Sequence, residues 1–335
     1  MKIDYYIVNV FVDGDFSGNP AGVCLLDAWL PDGLLQSIAA QNNMPETAFV
    51  VRECGGYTLR WFSPEVEVDL CGHATIAAAS VLLGGAESDG SELCKPPFPK
   101  ELSSQMTEDS LPFNKSSVTP YGVPPPLEKE SSFSTKSGIL SVTRRGGMYW
   151  LDFPARPVKP CPAYGAIARG LGAEPAAVYK AADFLVLLEN AQAVRDLTPD
   201  FAELRKVKDE AGMGDSVFGI IVTAAGEGGC DFVSRFFAPG MGIDEDPATG
   251  RAHCSLIPFW SQRLGKKAMF ARQLSRRGGY IWCEDRGERV GIGGKTAAYM
   301  KGEIILYARD VREAVPYKPH IPASSVGDAA LGVPK

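Results

Sequence analysis

Four side chains in this sequence have the chemistry to move a proton or to hold the group that gains one. Glu46 lies in Met44-Pro-Glu-Thr-Ala-Phe49, directly before the apolar run Phe49-Val-Val. A carboxyl beside an apolar wall has its charged form disfavoured and its pKa raised, which suits it to carry a proton at neutral pH. The plainer alternative is a solvated glutamate at an N-cap or strand edge. His73 lies in Cys71-Gly-His-Ala-Thr75, where a helix is expected to begin. A helix N-terminus favours neutral imidazole, leaving His73 as donor or acceptor, although a lone histidine also serves as a satisfied structural residue. Asp246 is a second acid/base candidate or an orienting partner of His73, and Asp-Pro equally reads as plain helix-start chemistry. Cys71 is the fourth. The histidines at 73, 253 and 320 have no metal-ligand spacing, so no metal is expected.

Three of these four directly follow a repeat. Arg60-Trp-Phe-Ser-Pro-Glu-Val-Glu-Val-Asp69 aligns without gaps onto Arg235-Phe-Phe-Ala-Pro-Gly-Met-Gly-Ile-Asp244, 175 residues apart. Each copy runs into a Gly/Thr-containing turn and a helix of small residues, so the chain reads as two halves of a duplicated fold. Continued at that offset, Cys71 takes the place of Asp246. Two facing helix N-termini with free backbone N–H groups would clamp a carboxylate; two ordinary capped helices are the plainer alternative.

The elements that must position these residues are short. Strands are expected at Tyr5–Val12, Gly22–Leu26, Thr47–Val51, Tyr57–Phe62, Met148–Phe153 and Phe184–Leu188. Helices are expected at Pro31–Gln41, Gly72–Leu83, Pro162–Leu171, Thr198–Glu210 and Ala252–Leu264, which makes the class α+β. Strict βαβ alternation is missing, which disfavours a doubly wound sheet. The expected division is an N-terminal lobe at 1–150, a C-terminal lobe at 151–320 and a tail at 321–335. Residues 86–137 hold eight of the 25 prolines and eleven serines, a composition that cannot bury enough apolar area to offset ordering, so a surface insertion outside both cores is expected.

Composition removes several function classes. At 45% hydrophobic and 22% charged residues with a net charge of −6, the chain can build a large core but has no basic surplus for nucleic acid. No apolar run reaches membrane-spanning length. The eight cysteines form no C-x-x-C pair and the N-terminus has no secretory pattern, so free thiols and a cytoplasmic location are expected. Gly291-Ile-Gly-Gly-Lys-Thr296 looks like a phosphate loop, but a Walker motif needs glycine where Arg289 stands, and the segment reads as a turn. With no dinucleotide fingerprint either, no cofactor is expected.

Five stretches together resemble the PhzF-like family of phenazine biosynthesis, relatives by fold of diaminopimelate epimerase. They are Phe16-Ser-Gly-Asn-Pro-Ala-Gly-Val23, Pro45-Glu-Thr-Ala-Phe49, Val68-Asp-Leu-Cys-Gly-His-Ala-Thr75, Gly242-Ile-Asp-Glu-Asp-Pro-Ala-Thr-Gly250 and Gln273-Leu-Ser-Arg-Arg-Gly-Gly279. The resemblance implies two similar lobes, each a sheet wrapped around a central helix, with the active site between them and commonly a homodimer. It implies a glutamate at Glu46 that shuttles a proton in a cofactor-free isomerisation, with His73 and Asp246 positioning substrate and Asn19 touching it near the rim. Backbone N–H groups around Gly72, His73, Thr249 and Gly250 would hold its carboxylate. Where the family usually has serine then alanine after Asp-Pro-Ala-Thr-Gly, this chain has Arg251-Ala252; arginine would either pair with a substrate carboxylate or fill the pocket.

The expected function is therefore an isomerase acting on a small conjugated carboxylate through Glu46. The alternatives are a non-catalytic binding homologue that kept the clamp, and a racemase or epimerase needing a second proton carrier opposite Glu46.

Overall fold

The computed structural model describes residues 1–53, 56–84, 129–214 and 218–307. The first half opens with strands β1 (Lys2–Val10) and β2 (Asn19–Leu26), helix α1 (Asp32–Asn42) and strands β3 (Glu46–Glu53), β4 (Gly56–Phe62) and β5 (Glu67–Val68). Helix α2 (Gly72–Gly84) follows, then β6 (Lys129–Thr135), β7 (Gly138–Arg145), β8 (Met148–Pro154) and β9 (Lys159–Pro160). After α3 (Gly165–Leu171) the pattern returns as β10 (Ala177–Lys180), β11 (Phe184–Leu187), the short helices α4 (Ala191–Arg195), α5 (Phe201–Arg205) and α6 (Val207–Glu210), and β12 (Ile220–Ala225). It closes with β13 (Phe232–Ala238), β14 (Ile243–Asp246), α7 (Gly250–Leu264), β15 (Ala268–Gln273), β16 (Gly279–Asp285), β17 (Arg289–Gly294) and β18 (Thr296–Ile305).

The strand pairings repeat without exception. In the first lobe β1 pairs antiparallel with β2, β2 parallel with β3, β3 antiparallel with β4, β4 parallel with β6, and β6, β7 and β8 follow as antiparallel neighbours. In the second, β10 to β13 and β15 to β17 reproduce the same sequence of directions. The two sheets meet where β8 runs antiparallel to β17 with Leu151 opposite Ile292, both fully buried. Each repeat surrenders its last strand to the other: β9 pairs with β10, while β18 pairs with β1 along its whole length.

The central helices explain why the sheets can wrap. In α2 the stretch His73–Ala79 is buried on every side, and its Ala-rich sequence lets β1, β2, β3, β6, β7 and β8 approach closely. In α7, Phe259 and Trp260 are also buried, and one continuous core joins both helices. Smaller cores lie under α1 and under α3 to α6.

Several expectations need correction. A division at 150/151 would cut through β8, and β18, expected in the C-terminal lobe, belongs to the first lobe's sheet. Residues 129–135 of the expected insertion form β6, with Phe133 wholly buried and Ser131 nearly so. The alternation Ser131, Phe133 was hidden in a serine-rich average. Residues 86–128 and the tail at 321–335 lie outside the described residues. Gly291–Gly294 is strand, not turn, because β17 passes directly into β18. The helix expected over Thr198–Glu210 is two short helices, the first capped by Asp200. Among the described residues six cysteines carry free thiols, and no helix is long and apolar enough to cross a membrane.

Candidate active site

Asn19 begins β2, Glu46 begins β3, Cys71 and His73 stand at the start of α2, and Asp246 ends β14, so four separate chain segments converge through their element ends. Asn19 is placed by Gly18, whose backbone has φ of +74° and where a Cβ would lie 2.2 Å from the carbonyl oxygen of Val10. Only glycine fits there. The neighbouring Arg277 donates to the carbonyl oxygens of Gly18 and Ser17 and to Asn9 Oδ1, fixing the turn from the other lobe.

Asn19 is fully buried and spans the lobes. Its Nδ2 donates to Asp246 Oδ1 at 2.8 Å and to the carbonyl oxygen of Ala248 at 3.0 Å, and it stands 3.3 Å from His73 Nδ1. Thr249 Oγ1 donates to the other oxygen of Asp246. Gln273 ties this turn down: its Oε1 accepts from the Thr249 N–H, and its Nε2 donates to the Asp246 carbonyl and to Thr249 Oγ1. Asp246 is thus held as an acceptor by neutral donors.

On the other side of the imidazole, Glu46 Oε2 lies 3.2 Å from His73 Nε2, both side chains nearly buried. The contact is close without hydrogen-bond alignment, and both atoms, like Asn19 Oδ1, lack a hydrogen-bond partner among the described residues. Buried polar atoms without partners are rare, and the facing pair on Glu46 and His73 marks a place where a ligand's polar group can be read. Burial pushes the Glu46 carboxyl above its ordinary range; His73 opposes this, Asp246 adds to it, and a hydrogen bond from the Cys71 thiol opposes it. Burial likewise holds the Cys71 thiol well above its usual value, with Glu46 next in effect, so the thiol stays protonated.

The donor atoms of Glu46, Cys71 and His73 lie within 4.8 Å of one another, the spacing a metal ion would require. The imidazole turns Nδ1 toward Cys71 and Nε2 toward Glu46, so its two neighbours approach different ring nitrogens. A thiol held in its protonated form is a poor ligand, so the residues present fit proton handling better than coordination.

The structure shifts the repeat register. Arg60 makes a two-pronged ion pair with Glu67, and Arg235 makes the same pair with Glu245, 178 residues on rather than 175. The 3₁₀ turn Pro239–Met241 supplies the difference. Helix starts obey the new offset: Gly72 and Gly250 open α2 and α7, and Thr75 and His253 both bond the carbonyl of the cap residue four positions back. The counterpart of Cys71 is therefore the N-cap Thr249, and Asp246 corresponds to Val68. The expected pairing of Cys71 with Asp246 is wrong because the repeat was aligned without a gap.

Arg251 corresponds to His73, and it does not stand free for a substrate. Its Nε and one terminal nitrogen grip Asp183, which is 3% exposed, at 3.0 and 2.7 Å. Asp183 also accepts from the Gly219 N–H at 2.8 Å. Sequence reasoning missed Asp183, which carries no motif, and passed over Gln273 although it stands in a quoted one. Gly72 and Gly250 lie at the first turns as expected, while the N–H of Thr249 is already taken by Gln273.

Comparison with known proteins identifies the family. The profile of the family described as "Phenazine biosynthesis-like protein" matches residues 8–94 and 125–302. An uncharacterized isomerase of Pseudomonas aeruginosa is 42% identical over 306 residues, covering 91% of this chain and all of that protein. The human phenazine biosynthesis-like domain-containing protein is 33% identical over 318 residues, covering 91% of this chain and 99% of its own. A crystal structure of a PhzF family protein from Enterococcus faecalis superimposes with a TM-score of 0.73 at 37% identity, covering 91% of this chain and all of that one. A hydroxyproline epimerase from Agrobacterium vitis shares the fold at 10% identity and a TM-score of 0.51, over 90% of this chain and 92% of that one. With the duplicated sheets, the converging element ends and full-length relatives named as isomerases, this chain belongs to the phenazine biosynthesis-like protein family and is an enzyme of the isomerase class.

Proposed function

We propose that the protein is an acid/base isomerase that moves a proton between two carbons of a small conjugated carboxylate, with Glu46 as the proton carrier and no metal or organic cofactor. The observation that carries this reading is the Glu46 carboxyl itself: nearly buried, raised in pKa, and facing His73 Nε2 with an unpartnered oxygen. As carboxylate it takes a proton from one carbon while the substrate's π electrons shift; as acid it returns that proton to another carbon, so atoms and charge balance and the enzyme ends as it began. His73 and Asn19 offer polar edges to the delocalised intermediate, and the N–H groups opening α2 face the same end of the helix. Asp246, fixed by Asn19 and Thr249, orients these groups.

A two-base epimerase is the weaker alternative, because the repeat equivalent of Glu46 is Gly219. Thr47 opposes Phe62 as Ile220 opposes Phe237, and the preceding residues are Glu46 and Gly219. Replacing Glu46 by Gln keeps shape and removes the transferable proton. Turnover is expected to fall about 10²- to 10⁴-fold while affinity for the same ligand survives. Unchanged turnover would remove Glu46 as carrier, and binding without turnover in both forms across a panel of small carboxylates would leave a binding protein.

A further inference from the structure

A cavity of about 300 Å³ lies between the β15–β16 connection and the turn at Asp13–Ser17. Neither Asn19, Glu46, His73 nor Asp246 lines it, so it is not the site described above. Three of its arginines have no carboxylate partner among the described residues. Arg276 is exposed, Arg272 lies over the ring of Tyr280 at 5.2 Å, and Arg277 donates only to neutral oxygens of Gly18, Ser17 and Asn9. Neutral acceptors satisfy N–H groups and leave the charge in place. The fourth, Arg195, is already paired with Glu227. The wall's single acid, Asp13, receives the Tyr280 hydroxyl, a bond that raises the tyrosine's pKa. Three uncompensated guanidinium groups against one carboxylate leave two positive charges on a concave wall, where field lines concentrate. Guanidinium forks match the oxygens of phosphate and carboxylate.

We propose that this cavity is a second binding site, for a dianion bearing phosphate or carboxylate groups, separate from the Glu46 centre. It reaches that centre through one residue. Gln273 lies on its wall and holds the Asp246–Thr249 turn with both ends of its amide.

Calorimetric titration of the full chain with inorganic phosphate, and separately with malonate, against chloride at equal ionic strength tests this. Saturable one-site binding is expected in the unaltered protein and in Glu46→Gln, weakened at least about tenfold in Arg272→Gln/Arg276→Gln, whose circular dichroism should match the parent. Tighter phosphate than malonate assigns a phosphate ligand, the reverse a dicarboxylate. Arg276→Gln alone, at an exposed side chain without a partner, gives the same readout should the double variant fail to fold. Heats equal to those of chloride, or affinity unchanged by the arginine variants, overturn the proposal. Binding lost in Glu46→Gln but kept in the arginine variants places the anion at the catalytic centre and also overturns it.

Discussion

The two helix mouths are built by equivalent strands and filled with opposite chemistry. At the start of α2, a histidine faces a glutamate whose oxygen has no hydrogen-bond partner. At the start of α7, the equivalent position holds Arg251, locked onto a buried aspartate that comes from the neighbouring strand. The carboxylate has moved across one strand pair, since Asp183 precedes Phe184 as Ala21 precedes Gly22 in the parallel ladders. Its old place is closed. A Cβ on Gly219 would sit 2.1 Å from the ring of Phe236, so no side chain fits where Glu46 stands in the other lobe. One mouth keeps a carboxyl with an unpartnered oxygen and a pKa raised by burial, while the other commits its carboxylate to structure. On the proposed reading, that difference favours one-base chemistry over the two-base chemistry a symmetric pair would allow.

The largest effect on this contrast should come from Arg251→Ala, which strands Asp183 in the core. Breaking a buried pair in this way should cost about 3–4 kcal/mol, the lower part of the usual range because the guanidinium is about one-third exposed. Urea denaturation checks it, and adding Asp183→Asn should restore much of the loss. A loss under about 1 kcal/mol would mean that the pair is not what holds the second mouth.

Next in size is the acid sensitivity of the second lobe. His253 is fully buried, with burial pulling its pKa down from 6.5 to about 4. Its stabilising effect is complete above pH 6.5 and drains away as the pH falls toward 4, where the unfolded chain takes up a proton that the fold refuses. The loss should reach roughly 2–3 kcal/mol over that window. His253→Thr, which copies Thr75 of the first lobe, should flatten this limb of the stability curve, whatever it costs through the smaller side chain.

Glu46 should show the opposite sign. Because folding raises its pKa, its contribution is present below the ordinary value of 4.5 and is lost as the pH rises through the raised folded value. Glu46→Gln should therefore melt a few degrees above the parent at pH 8, with the gap closing toward pH 4. A gap constant with pH would mean that Glu46 is solvated. The smallest effect is expected from Cys71→Thr, which puts the second lobe's cap residue on the first. Stability should change by less than about 1 kcal/mol and turnover should persist, since the thiol holds its proton. Loss of turnover comparable to that in Glu46→Gln would promote the thiol to proton carrier.

Much of this was legible in the sequence. The pairing of Arg60 with Arg235 announced the duplication, and the Gly-Asn-Pro, Pro-Glu-Thr and Gly-His-Ala-Thr stretches supplied the groups that meet around His73. What escaped notice depends on long-range packing. The three-residue shift could be seen only once Glu67 and Glu245 were found on equivalent arginines. Phe133 and Ser131 read as loop because only two of the inward positions of β6 alternate visibly within a serine-rich stretch. Asp183 has no motif because its meaning comes from Gly219 and Arg251, 36 and 68 residues away. Nothing local to Thr296–Ile305 says that it would cross to the other lobe.

That crossing has a consequence for how the molecule could arise and be divided. β9 completes the second sheet and β18 the first, so each repeat is one strand short without its twin. A cut between Pro160 and Gly165 would yield two fragments, neither able to close its own sheet, and the two should regain the fold only on mixing. A single ancestral repeat would have met the same need by lending its last strand to a second copy, giving a symmetric pair with two identical mouths. Joined in one chain, the copies are free of that symmetry, and one mouth can hold the Arg251–Asp183 lock while the other holds Glu46 and His73.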